Sequence, residues 1–385
     1  MLATPEGLYS SAEATLEDLG LSAVAAWKAR TGGKAVGHFP VYAPAELLHA
    51  YGVLPVSLFG GWGKVEIDHA DSRLQSFVCS ITRSTLELGL TGRLGGLDGM
   101  VFSNICDVAR NLSGIWARNF PSMMMEYLHL PQNIESPSAR EHMIHELERL
   151  SASLSRLTGR ALDEARLGES IALYNRGRAA LERLAALRLA EPWRLPALEW
   201  YLLLRLGAVL PKEEHLDALA AAERLAAASD RRPRDGIRLA LVGAFCEQPP
   251  LELLRVVDEA GCFVLEDDLA LGQRWYASPV REDGDPLTCL AEAYLTASRP
   301  SSVRHHGRQP RQQQLLERVR ALHLDGVLFA TAKFCEPALY DYVLYKEVLE
   351  AADIPYLHLE YEEKMSTFEQ ARTTVETFVE SIMFE

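Results

Sequence analysis

The chain reads as an α/β protein built from two related parallel-sheet units, and three observations carry that reading. Short apolar runs alternate with helical patterns, as βαβ units require. One set of motifs occurs twice, once toward each end. Between the copies lies a long stretch of Leu, Ala, Glu and Arg at helical spacing. At 385 residues the polypeptide is longer than a typical single domain of roughly 100–150 residues, so several domains are expected.

The opening residues, Met1 to Gly7, have neither the basic nor the apolar region of a signal peptide. Residues 1–20 read as a separate short helix with an acidic face. A first α/β domain is expected over residues 21–137. It opens with the strand Val36-Gly-His-Phe39 and a helix from Pro44-Ala-Glu-Leu-Leu48, which stops near Gly52 before the apolar run Val53 to Leu58. A second α/β domain, residues 236–385, repeats this at the same spacing. There Val242-Gly-Ala-Phe245 precedes Pro250-Leu-Glu-Leu-Leu254, then Gly261 and the run Cys262 to Leu265. Each Pro is read as the first helical residue, where a missing N–H costs nothing.

A second matched pair follows: Asp98-Gly-Met-Val-Phe-Ser-Asn-Ile-Cys106-Asp107, and Asp325-Gly-Val-Leu-Phe-Ala-Thr-Ala-Lys-Phe-Cys335-Glu-Pro337. Both are apolar strands that run into a Cys and a helix start. Residues 138–235 form a helical insert, broken by Pro192 and Pro196, with a charged linker at its end. The sum is two look-alike lobes, Rossmann-like or flavodoxin-like, facing across a cleft.

Composition narrows the function. Apolar residues make up 48% and charged residues 24%, ordinary globular values. A net charge of −14 argues against a nucleic-acid backbone as partner, and no apolar stretch approaches the ~20 residues of a membrane span. Six cysteines without secretory context read as thiols or metal ligands, so a cytoplasmic location is expected. The chain has no Gly-x-x-x-x-Gly-Lys-Ser/Thr loop, no Gly-x-Gly-x-x-Gly after a strand and no Gly-x-Ser-x-Gly elbow.

Open parallel sheets bind ligands beyond the carboxyl ends of their strands. Cys106, Cys246 and Cys335 all follow predicted strands, and Cys79 is expected at the start of the helix carrying Leu86 and Leu88. Backbone N–H groups and the positive end of a helix favour thiolate there. Three thiolates from Cys79, Cys106 and Cys335 suit a soft metal or an iron–sulfur cluster; the alternative is that the cysteines are buried small hydrophobes. Cys262 and Cys289 are expected to be that kind. Cys246 matches Pro40 in the repeat and so lacks a symmetric counterpart.

His358 and Glu360, at the end of a strand near Cys335, are candidates to orient a substrate or move a proton, or else a solvated strand end. Asn104 and Arg274 are candidate substrate contacts. Glu266-Asp-Asp268 either faces the cleft or caps the next helix. Met123-Met-Met125 reads as core.

Several of these motifs, in this order, carry a family resemblance. Phe329-Ala-Thr-Ala-Lys-Phe-Cys335-Glu-Pro337 through Lys346, with Ile354-Pro-Tyr-Leu-His-Leu-Glu-Tyr-Glu-Glu-Lys364, resembles the C-terminal signature of the benzoyl-CoA reductase and 2-hydroxyacyl-CoA dehydratase family. Ala43 to Val56, Cys106-Asp107 and Asp267 to Arg274 fit it too, so the likeness spans nearly all of the chain outside the insert. Within the family the chain is most like the gamma subunit of ATP-dependent class I benzoyl-CoA reductase. The resemblance implies a [4Fe-4S] cluster held by Cys79, Cys106 and Cys335 between the lobes, near an acyl-CoA thioester. It further implies a homologous second cluster-bearing subunit, activator subunits that hydrolyse ATP, and ferredoxin as electron donor. Benzoyl-CoA would be the substrate. Many relatives carry a Cys where this chain has Pro40-Val-Tyr42, and any role of that Cys has no counterpart here.

Overall fold

The computed structural model describes residues 4–39, 41–243, 247–269, 278–297, 299–302, 304–305, 307, 310–365 and 367–384. Two helices, α1 (Pro5–Glu17) and α2 (Ser22–Thr31), lead into the first sheet. That sheet comprises β1 (Lys34–Phe39), β2 (Val53–Ser57), β3 (Gly99–Ser103) and β4 (Met124–Leu128), all parallel, in spatial order β2-β1-β3-β4. Its connecting helices are α3 (Ala45–Ala50), α4 (Ser80–Leu90) and α5 (Asp107–Asn119). Four helices follow: α6 (Ala139–Thr158), α7 (Glu164–Ala190), α8 (Ala197–Leu206) and α9 (Lys212–Ala227).

The second sheet repeats the first. Strands β5 (Ile237–Val242), β6 (Cys262–Asp267), β7 (Gly326–Ala332) and β8 (Tyr356–Tyr361) are parallel in the order β6-β5-β7-β8. With them go α10 (Leu251–Glu259), α11 (Pro286–Thr296), α12 (Arg311–Ala321), α13 (Glu336–Ala351) and α14 (Glu369–Phe384). Two parallel four-stranded sheets with surrounding helices are the α/β class expected.

The duplication extends to single hydrogen bonds. Asp98, just before β3, accepts the Ala35 N–H at 2.9 Å, and its own N–H donates to Ala35 O. Asp325, just before β7, does the same with Arg238, at 2.7 Å. The repeated Asp-Gly thus pins the third strand of each sheet to its neighbour and satisfies backbone groups near the start of the strands. Pro44 and Pro250 differ from expectation by one position. Each is the N-cap, with a non-helical ψ of 82° or 146°, rather than the first helical residue.

One apolar core runs continuously through the first sheet, the four helices 139–227 and one face of the second sheet. A smaller cluster, including Val327, Phe329, Tyr345 and Leu349, covers the other face of the second sheet. Helix α7 braces both lobes. Its Ser170 donates to Glu46 O and Arg178 pairs with the buried Glu46, while Asn175 exchanges two hydrogen bonds with Val280 (2.7 and 2.9 Å) and Arg188 donates to Val264 O. Among the described residues, no helix is long and apolar enough to cross a membrane.

Candidate cysteine site

Each of the three candidate thiols is the N-cap of a helix. Cys106 follows β3 and caps α5, its sulfur accepting the Ala109 N–H at 3.4 Å. Cys335 follows β7 and caps α13, reached through Phe334 at φ 65°, with Pro337 in the first turn. Cys79 caps α4, its sulfur 3.0 Å from Thr82 Oγ1. Cys106 and Cys335 are therefore equivalent in the repeat. Cys79 is not, since the helix before β7, α12, has Pro310 as its N-cap. Cys79 and Cys335 are buried, Cys106 partly so, and the described cysteines form no disulfide.

The sulfurs lie within electrostatic reach of one another. Burial pushes the Cys79 thiol well above its ordinary range, and the charges of Glu247, Cys335 and Cys106 push it further. The helix terminus favours thiolate, as the sequence predicts, but desolvation and the like charges outweigh it. The protein alone therefore holds Cys79 protonated. A cationic centre, were one bound by this sulfur, would reverse that balance, because a coordinating thiol is deprotonated outright.

Two buried carboxyls from the second lobe meet the Cys79 helix. Glu247, 2% exposed, accepts the Ile81 N–H through Oε2 at 3.0 Å; its Oε1 has no hydrogen-bond partner. Glu363 Oε1 accepts from Ser84 Oγ at 2.9 Å and from Gly61 N–H at 3.3 Å, and the carboxyl also receives the N–H groups of Trp62 and Gly63. The loop is shaped for it: Gly60, Trp62 and Gly63 all have positive φ, and a Cβ on Gly60 would stand 2.0 Å from Glu363 Oε1. Burial raises both acids, and the charge of Glu363 pushes Glu247 further. Glu363 sits at about 7, because four donors offset part of its burial. Tyr361, buried beside Cys335, donates to Glu247 O.

Other predicted residues have different surroundings. Asn104 is tied to the chain beyond β4, donating to Leu130 O and accepting its N–H, each at 2.9 Å. His358 stacks on Tyr342 with ring centroids 4.1 Å apart and pairs with Thr331 Oγ1. Along β8, Leu357, Leu359 and Tyr361 face the larger core, so His358 and the exposed Glu360 project from the opposite face. Asp267 accepts from Trp200 Nε1 and caps Leu269 N–H, and Glu266 pairs with Arg299 and Arg318. Cys262 and Cys289 are buried, as expected. Met124 and Met125 lie in β4 against the larger core, and Met123 accepts from Trp116 Nε1. Cys246 and Arg274 lie outside the described residues.

Glu247, Glu363 and the Gly60–Gly63 loop were not among the candidates from sequence. The signals present were the Gly-Gly-Trp-Gly run, a turn signature, and a second acid two positions beyond Tyr361. Elsewhere, a cavity of about 590 Å³ includes Arg140 and Arg281, both paired to Glu292. Among the described residues no three His, Cys, Asp or Glu side chains converge tightly enough to hold a single metal ion.

Two parallel four-stranded sheets with surrounding helices, and three thiols at helix N-termini, define a two-lobed α/β protein. The chain belongs to the family of the 2-hydroxyglutaryl-CoA dehydratase D-component, whose profile matches residues 40–382. It is 37% identical to one of the benzoyl-CoA reductase subunits of Thauera aromatica over 97% of this chain and 98% of that one. It is 30% identical to the lactoyl-CoA dehydratase beta subunit of Anaerotignum propionicum, covering 92% and 94%. It is 27% identical to the (R)-2-hydroxyglutaryl-CoA dehydratase beta subunit of Acidaminococcus fermentans, covering 93% and 95%. Its place is thus among subunits of acyl-CoA reductases and dehydratases.

Proposed function

We propose that this chain is the iron–sulfur subunit of an ATP-dependent benzoyl-CoA reductase. In this reading it helps to reduce the aromatic ring of benzoyl-CoA to cyclohexa-1,5-diene-1-carbonyl-CoA. Electrons come from reduced ferredoxin through partner subunits that hydrolyse ATP, consistent with the absence of a phosphate-binding loop in this sequence. The carrying observation is the 37% identity over nearly the full length of a benzoyl-CoA reductase subunit, against 30% and 27% for dehydratase subunits.

The donor set fits a [4Fe-4S] cluster. Three soft thiols each stand at a helix N-terminus, Cys335 and Cys106 near enough to act electrostatically on Cys79, and Glu247, which acts on it too, has in Oε1 a buried oxygen without a partner. Cluster thiolates attach to separate irons, so they need not crowd together as on a single ion. Cys79, Cys106 and Cys335 would hold the cluster, which when bound supplies single electrons at low potential. The apolar shell around Cys79 and Cys335 keeps water from the site and helps to set that potential. Phe77 and Phe334, next to two of the thiols, are 65% and 41% exposed, as suits a face covered by another protein of the complex.

The second reading, a 2-hydroxyacyl-CoA dehydratase subunit, draws on the 30% identity to the lactoyl-CoA enzyme. Anaerobic turnover of the complex with benzoyl-CoA separates them. Net consumption of reductant with diene formation supports the reductase. Catalytic dehydration of a 2-hydroxyacyl-CoA, with no net electron consumption, supports the dehydratase.

A further inference from the structure

We propose that Glu247 is a positioning residue for the thiol set, reaching from the second lobe to fix the first turn of the Cys79 helix and so to set where Cys79 stands relative to Cys335. The inference rests on the reading of Cys79 and Cys335 as ligands of one centre.

Cys79 belongs to the first lobe and Cys335 to the second, and a shared centre tolerates little drift between them. As the N-cap of α4, Cys79 lacks the side-chain oxygen that would satisfy the N–H groups of the first turn. Glu247, from the loop after β5, fills that role at Ile81, two positions beyond the ligand. The same loop is held on the Cys335 side, because Tyr361 donates to Glu247 O and Lys333 N–H donates to Tyr361 O at 2.8 Å. One short chain of hydrogen bonds therefore links the two thiol-bearing turns: α4, Glu247, Tyr361, then the β7 end that leads into Cys335.

Two further contacts hold the same junction. Glu363 grips Ser84 and the Gly60–Gly63 loop. From the helical insert, Arg205 lies 4.3 Å over the Trp62 ring and donates to Pro249 O at 2.7 Å, bridging the loops that flank the junction. Outer partners that orient metal ligands in this way typically alter metal affinity by about 10–100-fold when removed.

The test uses the full chain, made metal-free and reconstituted anaerobically with iron and sulfide. Sulfur-to-iron absorption and the paramagnetic spectrum of the reduced protein are the readouts. Glu247→Ala should lose iron to a chelator about tenfold faster than wild type and shift the spectrum, whereas Glu247→Gln, which keeps an acceptor for the Ile81 N–H, should restore both. If Glu247→Ala does not fold, Glu247→Asp takes its place: it retracts the carboxyl by one methylene and should give the same loss. Unchanged chelation and spectrum in the Ala or Asp variant overturn the proposal, as does a folded Gln variant that fails to rescue. A wild-type chain that takes up no cluster overturns the reading of the thiols, and the positioning role falls with it; this outcome is visible before any Glu247 variant is made.

Discussion

Cys106 and Cys335 occupy the same point in two copies of one chain path: each follows the third strand of its sheet and serves as the N-cap of the helix beyond. Duplication thus presents two thiols alike, one from each lobe. The third, Cys79, comes from the helix before the strand and breaks the symmetry. If the three thiols are ligands of one centre, as proposed, two of them are equivalent and the third is held by other means, which is where Glu247 and Glu363 enter.

The Gly60–Gly63 loop depends on having no side chain at Gly60. Gly60→Ala should destabilise the protein by at least about 2 kcal/mol, since left-handed φ alone costs a non-glycine residue roughly 1–2 kcal/mol and the new Cβ would stand 2.0 Å from Glu363 Oε1. Urea unfolding measures this. Combining it with Glu363→Ala should be less than additive, because the two changes share one contact.

Asp98 gives a pH-dependent prediction. Burial opposes its charge, but hydrogen bonds from Lys28, the Ala35 N–H and Lys34 outweigh that and hold its carboxyl below the usual range. A depressed acid contributes stability above the unfolded value, near about pH 4, and loses it as pH falls through the folded value. Asp98→Asn should therefore cost about 1–3 kcal/mol at neutral pH. The gap from wild type should narrow steadily below about pH 4, which denaturation at a series of pH values will show.

Lys212 tests the helical insert in the alkaline range, with the same sign of pH dependence. It is buried on α9 against His215, whose Nε2 donates to Leu203 O and whose Nδ1 faces the lysine at 3.1 Å. Burial and the Arg178 charge, opposed by Glu46, bring Lys212 from 10.5 down to about 8. Between those values the unfolded chain binds the extra proton, so wild-type stability should rise with pH across the window relative to Lys212→Met. Over those units the gain is at most about 3 kcal/mol. A flat difference between the two proteins would show that Lys212 is not held in a dry site.

Much of this is legible in residue order, and the reasons are local. The phrase of an apolar strand, Cys and helix start occurs at both Cys106 and Cys335, and strand ends and helix starts are encoded in neighbouring residues. Other features lie beyond local pattern. Glu247 meets Ile81 across 166 positions and Glu363 meets Ser84 across 279, separations at which periodicity carries no information. A helix end does favour thiolate, but the burial that overrides it at Cys79 is a property of packing, which no local pattern encodes. The orientation of β8 is different, because its signal is local: alternation places Tyr361 with Leu357 and Leu359, which turns His358 and Glu360 to the other face.

On this account Cys79, Cys106 and Cys335 together hold one iron–sulfur cluster. Iron and acid-labile sulfide per chain, measured on anaerobically prepared wild type and single Cys→Ser variants, test that most directly. Wild type should carry about four of each per chain; Cys79→Ser, Cys106→Ser and Cys335→Ser should each lose most of both, and Cys262→Ser should keep them. Wild-type iron and sulfide in Cys335→Ser would contradict the account.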